Sequence, residues 1–216
     1  MLSKGVTQYV GPDKLSLLHF IYPDFLHPVG TEQIFYFQKN CWRVTQHEVK
    51  ELGYESINHH VWAEQKRDFP AKYLGRPLIT FTGHDDTLDY SLSPDGKNCH
   101  FLQFLINTSN FTWRKREVEI EPEELLENRK HLLAKLCAIG YMAMEYKDVS
   151  VNRAVIGMDG KQSEVGESNG RSGKSLIGVL MKHILPSAYV NGKRKDLLED
   201  QFVWNDVVAV SYTHLR

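Results

Sequence analysis

A glycine-bearing segment that ends in Gly-Lys-Ser contains the residue types best suited to chemistry in this sequence. Glycines let backbone N–H groups converge on anionic oxygens, and the N-terminus of a following helix attracts the same negative charge. The lysine can bind the β- and γ-phosphates of a nucleotide, and the serine hydroxyl can ligate Mg²⁺. We therefore interpret the segment as a nucleotide-binding loop that consists of Asn169, Gly170, Arg171, Ser172, Gly173, Lys174 and Ser175, with Ser175 as the metal ligand.

One position of this loop departs from the common phosphate-loop pattern. The pattern G-x-x-x-x-G-K-[ST] places its first glycine where this sequence has Ser168, and the nearest glycines are Gly166 and Gly170. The alternative is a solvated loop whose lysine happens to precede a helix. The elements on either side distinguish the two interpretations, because a phosphate loop connects a strand to a helix.

The flanking residues predict both elements. Arg153–Met158 is a short apolar run with β-branched residues, which is typical of a buried strand. A polar loop with several glycines follows, and Lys174–Leu185 then has apolar residues at helical spacing before Pro186. These apolar residues are Leu176, Ile177, Leu180, Met181, Ile184 and Leu185. The order of strand, loop and helix favours the phosphate loop over the accidental turn.

A long helix is predicted from about Pro122 to Lys147. Proline is tolerated in the first turn because its missing N–H would have no helical partner there. Glu123 and Glu124 place negative charge at the positive end of the helix dipole. An apolar stripe at helical period predicts a packing face, to which we assign no chemistry: Leu125, Leu132, Leu136, Ile139, Ala143 and Tyr146.

The first third of the chain predicts a mixed α+β region. Ile34–Phe37 and Cys41–Thr45 are rich in aromatic and β-branched residues and flank a short polar turn, which indicates a hairpin. Pro77–Thr82 predicts a further strand that ends at a glycine. Short helices are predicted over Leu15–Tyr22 and Asn98–Ile106.

Composition and charge exclude several classes of protein. The net charge of −1 excludes a strongly basic nucleic-acid coat but does not exclude a local basic channel. No apolar run approaches the roughly 20 residues of a membrane span, so no membrane partner is expected. The three cysteines lack metal-binding spacing, and their odd number favours a reducing cytoplasm.

Other suggestive clusters have simpler interpretations. Phe111–Arg116 mixes aromatic residues with cations and could contact a nucleic-acid strand, but a solvated basic face is the simpler interpretation. The same holds for Lys193–Lys195. The adjacent residues His84, Asp85 and Asp86 could not all face one metal ion in a strand, because side chains alternate there. We predict a turn instead.

Four segments of the second half match a known pattern: NRKHLLAKLCAIGYMAMEYKD, RAVIGMD, SNGRSGKSL and YVNGKRKDLLEDQFVWNDV. Together they resemble the primase–helicase proteins of phages and bacterial mobile elements. The motor of that family is a superfamily 3 helicase domain, a P-loop ATPase that assembles as a ring around DNA. The family tolerates an N-G-x-x-G-K-[ST] core, which Asn169–Ser175 matches. The resemblance implies an α/β P-loop NTPase fragment with ATP and Mg²⁺ as cofactors and with DNA and further copies of itself as partners.

The resemblance also implies parts that this sequence lacks. In the family an acidic Walker B strand follows a segment like FVWNDV, and its carboxylate orders Mg²⁺ and the attacking water. Here the apolar run Val207–Val210 is followed by SYTHLR, which has no carboxylate. We interpret the chain as a truncated product with a non-native tail at 208–216. Such a fragment contains no catalytic residue and should hydrolyse ATP poorly.

These observations divide the chain into four regions. Residues 1–116 form a mixed α+β connecting region, 117–150 a helical linker, 151–207 the start of a P-loop ATPase domain and 208–216 the tail. The expected function is that of an ATP-dependent DNA helicase of the primase–helicase type. Two alternatives stay open: another P-loop enzyme, such as a small-molecule kinase, and a non-catalytic nucleic-acid-binding domain in which the Gly-Lys-Ser turn is accidental.

Overall fold

A three-stranded antiparallel sheet contains the hairpin that the sequence predicts. The computed structural model describes residues 22–26, 29–111, 119–148, 150, 153–158, 173–187 and 190. Strand β1 (Glu32–Tyr36) pairs with β2 (Cys41–Thr45), and β2 pairs with β3 (Val49–Leu52). The predicted hairpin is confirmed. Of the helix predicted over 15–22, only the last residue lies within the described part of the chain.

A second sheet pairs β4 (Ile79–Thr82) with β5 (Asp89–Leu92) in antiparallel register. The strand predicted over Pro77–Thr82 is confirmed, and it ends at Gly83, which has φ 75°. A Cβ at Gly83 would lie 2.1 Å from the carbonyl oxygen of Thr87. Only glycine therefore lets the chain turn back towards β5 at this point.

Two helices follow β5, α1 (Pro94–Asn98) and α2 (His100–Ser109). Ser93 caps α1, because its hydroxyl accepts a hydrogen bond from the Gly96 N–H at 3.1 Å. Leu102 and Leu105 of α2 are buried. The helix predicted over Asn98–Ile106 is confirmed, with both ends lying slightly later in the chain.

Helix α3 (Pro122–Ala143) confirms the predicted long helix, although it ends before Lys147. It packs against α2 and also contacts β5 and the last helix. Leu132, from the predicted stripe, is 1% exposed, and the other members of the stripe are half-buried. Asn128 lies between Leu125 and Leu132 on the same face of the helix and is buried as well. Its side-chain oxygen accepts a hydrogen bond from the Phe111 N–H at 2.9 Å, which ties the end of α2 to α3.

Helix α4 (Lys174–Ile184) confirms the helix predicted after the Gly-Lys-Ser sequence. Met181 and Leu185 are buried, whereas Leu176 is 52% and Val179 50% exposed. The apolar spacing therefore predicts the helix correctly, but only part of its apolar surface is covered by described residues.

The strand predicted over Arg153–Met158 is not formed. These residues belong to no strand of the described chain, and Ile156 and Met158 are 76% and 81% exposed. Instead of a neighbouring strand, the Tyr141 hydroxyl lies 3.3 Å from the backbone nitrogen of Arg153 and 3.2 Å from its carbonyl oxygen. A strand needs a paired neighbour for its backbone groups, and no described strand pairs with this segment. The buried-strand interpretation is therefore wrong for these residues.

Candidate nucleotide-binding site

The junction between the candidate loop and α4 is made by Gly173. This residue has φ 78° and ψ 5°, which is left-handed backbone, and α4 begins at the next residue. The carbonyl oxygen of Gly173 accepts the hydrogen bond of the Leu176 N–H at 3.0 Å. A left-handed residue costs little for glycine and roughly 1–2 kcal/mol for other residues. The glycine of the Gly-Lys-Ser sequence is therefore required by the backbone itself.

Lys174 and Ser175 form the first turn of α4, and both are exposed. The N-terminal end of a helix presents backbone N–H groups without intrahelical partners, and the cap residue here is a glycine with no side chain to accept from them. Three of the seven predicted nucleotide-binding residues are thus placed at one helix terminus. The other four, Asn169, Gly170, Arg171 and Ser172, lie outside the described residues.

The side chain of Lys174 extends along the segment that precedes the loop. A Cβ built on Gly157 would lie 3.4 Å from Cδ and 3.8 Å from Cγ of Lys174. The aliphatic part of the lysine therefore lies beside the backbone at Gly157. The residues before the loop, although not a strand, are next to the start of α4.

Helix α2 lies against the same junction, which the sequence does not predict. A Cβ on Gly173 would lie 2.5 Å from Cζ of Phe104 and 3.8 Å from Cγ2 of Thr108. Thr108 also donates from its hydroxyl to the Phe104 carbonyl oxygen at 2.9 Å and accepts a hydrogen bond from the Lys135 ammonium at 3.0 Å. These contacts join α3, α2 and Gly173. No local pattern signals them, because the residues are far apart in the sequence.

Two titratable side chains of α3 lie in this region. Burial lowers the pKa of Lys135 below its ordinary value. Burial and the nearby Lys135 ammonium lower the pKa of His131, whose ring stacks on Phe111 with 4.5 Å between centroids. His131 Nδ1 is buried without a hydrogen-bond partner. The neutral imidazole is therefore the form that the folded protein favours.

His131 should make stability fall as the pH falls below its ordinary pKa of about 6.5. The unfolded chain binds the proton at a higher pH than the folded chain, so the contribution is complete above that value and is lost towards the lowered pKa. We expect His131→Phe, which keeps a ring beside Phe111, to flatten this part of the profile. Urea unfolding at pH 7.5 and 5.5 measures the difference. If the free energy of unfolding changed equally with pH in wild type and His131→Phe, the prediction would be contradicted.

The remaining candidate clusters have structural roles. Asp85–Thr87 forms a 3₁₀ turn after His84, which confirms the predicted turn. The Tyr36 hydroxyl lies 2.8 Å from His59 Nε2 within the region of the first sheet. No group of three or more potential metal ligands occurs among the residues that the structure describes. Of the predicted basic clusters, Phe111 is described, whereas 112–116 and 193–195 are not.

The comparisons with known proteins leave the family of this chain undetermined. Within the described residues, no helix is both long and apolar enough to cross a bilayer. No protein-family model, no curated protein and no solved structure matches the chain.

Proposed function

We propose that the start of α4 is the phosphate-binding end of a nucleotide site and that the chain is part of an ATP-dependent DNA helicase of the primase–helicase type. The observation that carries the proposal is the left-handed Gly173 followed directly by a helix whose first residues are Lys174 and Ser175. A Gly-Lys-Ser sequence can occur in any loop. Its position at a helix N-terminus supplies the helix of the strand–loop–helix context of a phosphate loop, whereas the strand predicted before the loop is not formed.

The chemistry at this terminus favours a nucleotide phosphate. The exposed first turn combines backbone N–H groups, the positive end of the helix dipole and the Lys174 ammonium, all of which attract anionic oxygens. Ser175 follows immediately, where its hydroxyl can ligate the Mg²⁺ that accompanies ATP. The other end of the helix carries Lys182 and His183, which suit its negative dipole end.

The DNA-helicase part of the proposal is supported by the resemblance of the second half of the chain to primase–helicase proteins. In such a protein, the nucleotide would lie between ring subunits, and its hydrolysis would drive movement along DNA. The lysine would bind the β- and γ-phosphates, and the backbone of Asn169–Gly173 would surround them.

Replacing Lys174 with alanine tests the nucleotide site. We expect the variant to bind ATP–Mg²⁺ roughly 10- to 100-fold more weakly, because a charged hydrogen bond to phosphate contributes about 1.5–3 kcal/mol. Lys182→Ala is the matched control, since Lys182 is exposed on the same helix in its last turn. Calorimetric titration of wild type and both variants provides the affinities. Equal ATP affinity of wild type and Lys174→Ala would refute the phosphate-loop assignment.

The same titrations distinguish the alternatives. ATP binding that depends on Lys174, combined with binding of single-stranded DNA, supports the helicase proposal. ATP binding without DNA binding favours another P-loop enzyme. Salt-sensitive DNA binding without any ATP binding favours a non-catalytic nucleic-acid-binding domain, because phosphate contacts make such binding fall steeply with salt.

A further inference from the structure

The proposed phosphate site depends on a glycine whose backbone could adopt many conformations. Glycine reaches left-handed and right-handed regions with similar ease, so the sequence alone does not hold Gly173 at φ 78°. A site that must order its backbone when ligand binds loses affinity, because binding then includes the cost of ordering. A contact that restricts Gly173 before binding would therefore strengthen the site.

The Phe104 ring lies next to the position that a Cβ of Gly173 would occupy. Its Cζ and Cε2 atoms would lie 2.5 and 2.6 Å from a Cβ on this glycine, so the ring occupies the space next to the backbone. Phe104 is half-buried on α2, and its ring also packs against Phe101 with 5.8 Å between centroids. The ring thus limits how the backbone at Gly173 can move.

The helical turn that carries Phe104 is itself tied to α3. Thr108 donates its hydroxyl hydrogen bond to the Phe104 carbonyl oxygen, and the Lys135 ammonium of α3 donates to the same hydroxyl oxygen. The Thr108 methyl group also lies near Gly173. The position of the ring therefore depends on the packing of α2 on α3, and not on a mobile side chain alone.

We propose that Phe104 is a positioning residue for phosphate binding: its ring holds Gly173 left-handed and so directs Lys174 and the first N–H groups of α4 towards the phosphates. This inference rests on the proposed function. Phe104 does not touch the nucleotide, and it acts through the backbone of Gly173. Helices α2 and α3 then support the backbone of the site in addition to packing against each other.

Two substitutions at Phe104 test the inference. Phe104→Leu removes the ring atoms beside Gly173, and Phe104→Tyr adds an oxygen at Cζ, directed at the same backbone. We expect each folded variant to bind ATP–Mg²⁺ roughly five- to tenfold more weakly than wild type. Phe81→Leu is the control, because Phe81 is a half-buried aromatic residue of β4 that packs on Tyr90. It should change ATP affinity by less than about twofold.

Urea unfolding of every variant separates positioning from stability. A purely structural role would lower the unfolding midpoints of Phe104→Leu and Phe81→Leu and leave the ATP affinity of both folded proteins unchanged, which would overturn the inference. If Phe104→Leu does not fold, the ATP affinity of Phe104→Tyr decides whether the inference holds: wild-type affinity would overturn it.

Lys174→Ala distinguishes failure of this inference from failure of the proposed function. Wild-type affinity in both Phe104 variants, together with the expected weaker binding of Lys174→Ala, would refute the role of Phe104 alone. No ATP binding by wild type would refute the phosphate site and the inference together.

Discussion

Replacing Gly173 with alanine is expected to destabilise the start of α4 by roughly 2–4 kcal/mol. The residue has φ 78°, a conformation that costs an alanine about 1–2 kcal/mol. The new methyl group would also lie 2.5 Å from Cζ of Phe104, so the ring must move out of its position. Because the ring and the glycine backbone define the proposed site, ATP affinity should fall as well.

Gly178→Ala provides a control for which the expected change in stability has the opposite sign. Gly178 lies inside α4, and a Cβ built there meets no atom within 4 Å apart from its chain neighbours and the backbone of its own helix. Alanine is about 1 kcal/mol more favourable than glycine in a helix interior, so this variant should be slightly more stable than wild type. Urea unfolding followed by circular dichroism measures both changes. Equal effects of the two substitutions would show that Gly173 does not have the described conformation.

Replacing Leu132 with alanine is expected to lower the free energy of unfolding by about 2–5 kcal/mol. Leu132 is 1% exposed on α3, and few side chains of the described residues are as completely buried. Truncation removes apolar contacts and leaves a cavity beneath the helix that packs against α2, β5 and α4. The loss is a large fraction of the total stability of a typical domain.

Cys137→Ala is the matched control for Leu132. Cys137 is an exposed residue of the same helix, so its substitution should change the free energy of unfolding by less than about 0.5 kcal/mol. Chemical unfolding of wild type and both variants at one pH compares them directly. A Leu132→Ala protein as stable as Cys137→Ala would mean that α3 does not bury this residue.

Within the described residues, short-range patterns predict helices α2, α3 and α4, strand β4 and the hairpin of β1 and β2, but not β3, β5 or α1. The hairpin of β1 and β2 is predicted by two apolar runs around a polar turn, and α3 by proline and acidic residues before an apolar stripe. The helix after Gly-Lys-Ser is predicted by apolar spacing before a proline. In each case the residues that predict the element are the residues that form it or lie directly beside it, so a short stretch of sequence is enough to predict it.

The strand predicted over Arg153–Met158 shows where such patterns fail. An apolar run with β-branched residues is compatible with a strand, but a strand forms only when a neighbour pairs with its backbone. The backbone of Arg153 forms hydrogen bonds with the Tyr141 hydroxyl of α3 instead. Pairing partners come from elsewhere in the chain, and the run itself does not specify them.

The helix that begins at Lys174, and the need for a residue like glycine before it, can be predicted from the sequence. The contact of Gly173 with Phe104 and the buried polar contact of Asn128 become visible only in the folded chain. The difference arises from the separation of these residues along the chain. Helix periods and turn residues act over a few positions, whereas these contacts join residues far apart, which meet only when α2, α3 and α4 pack together.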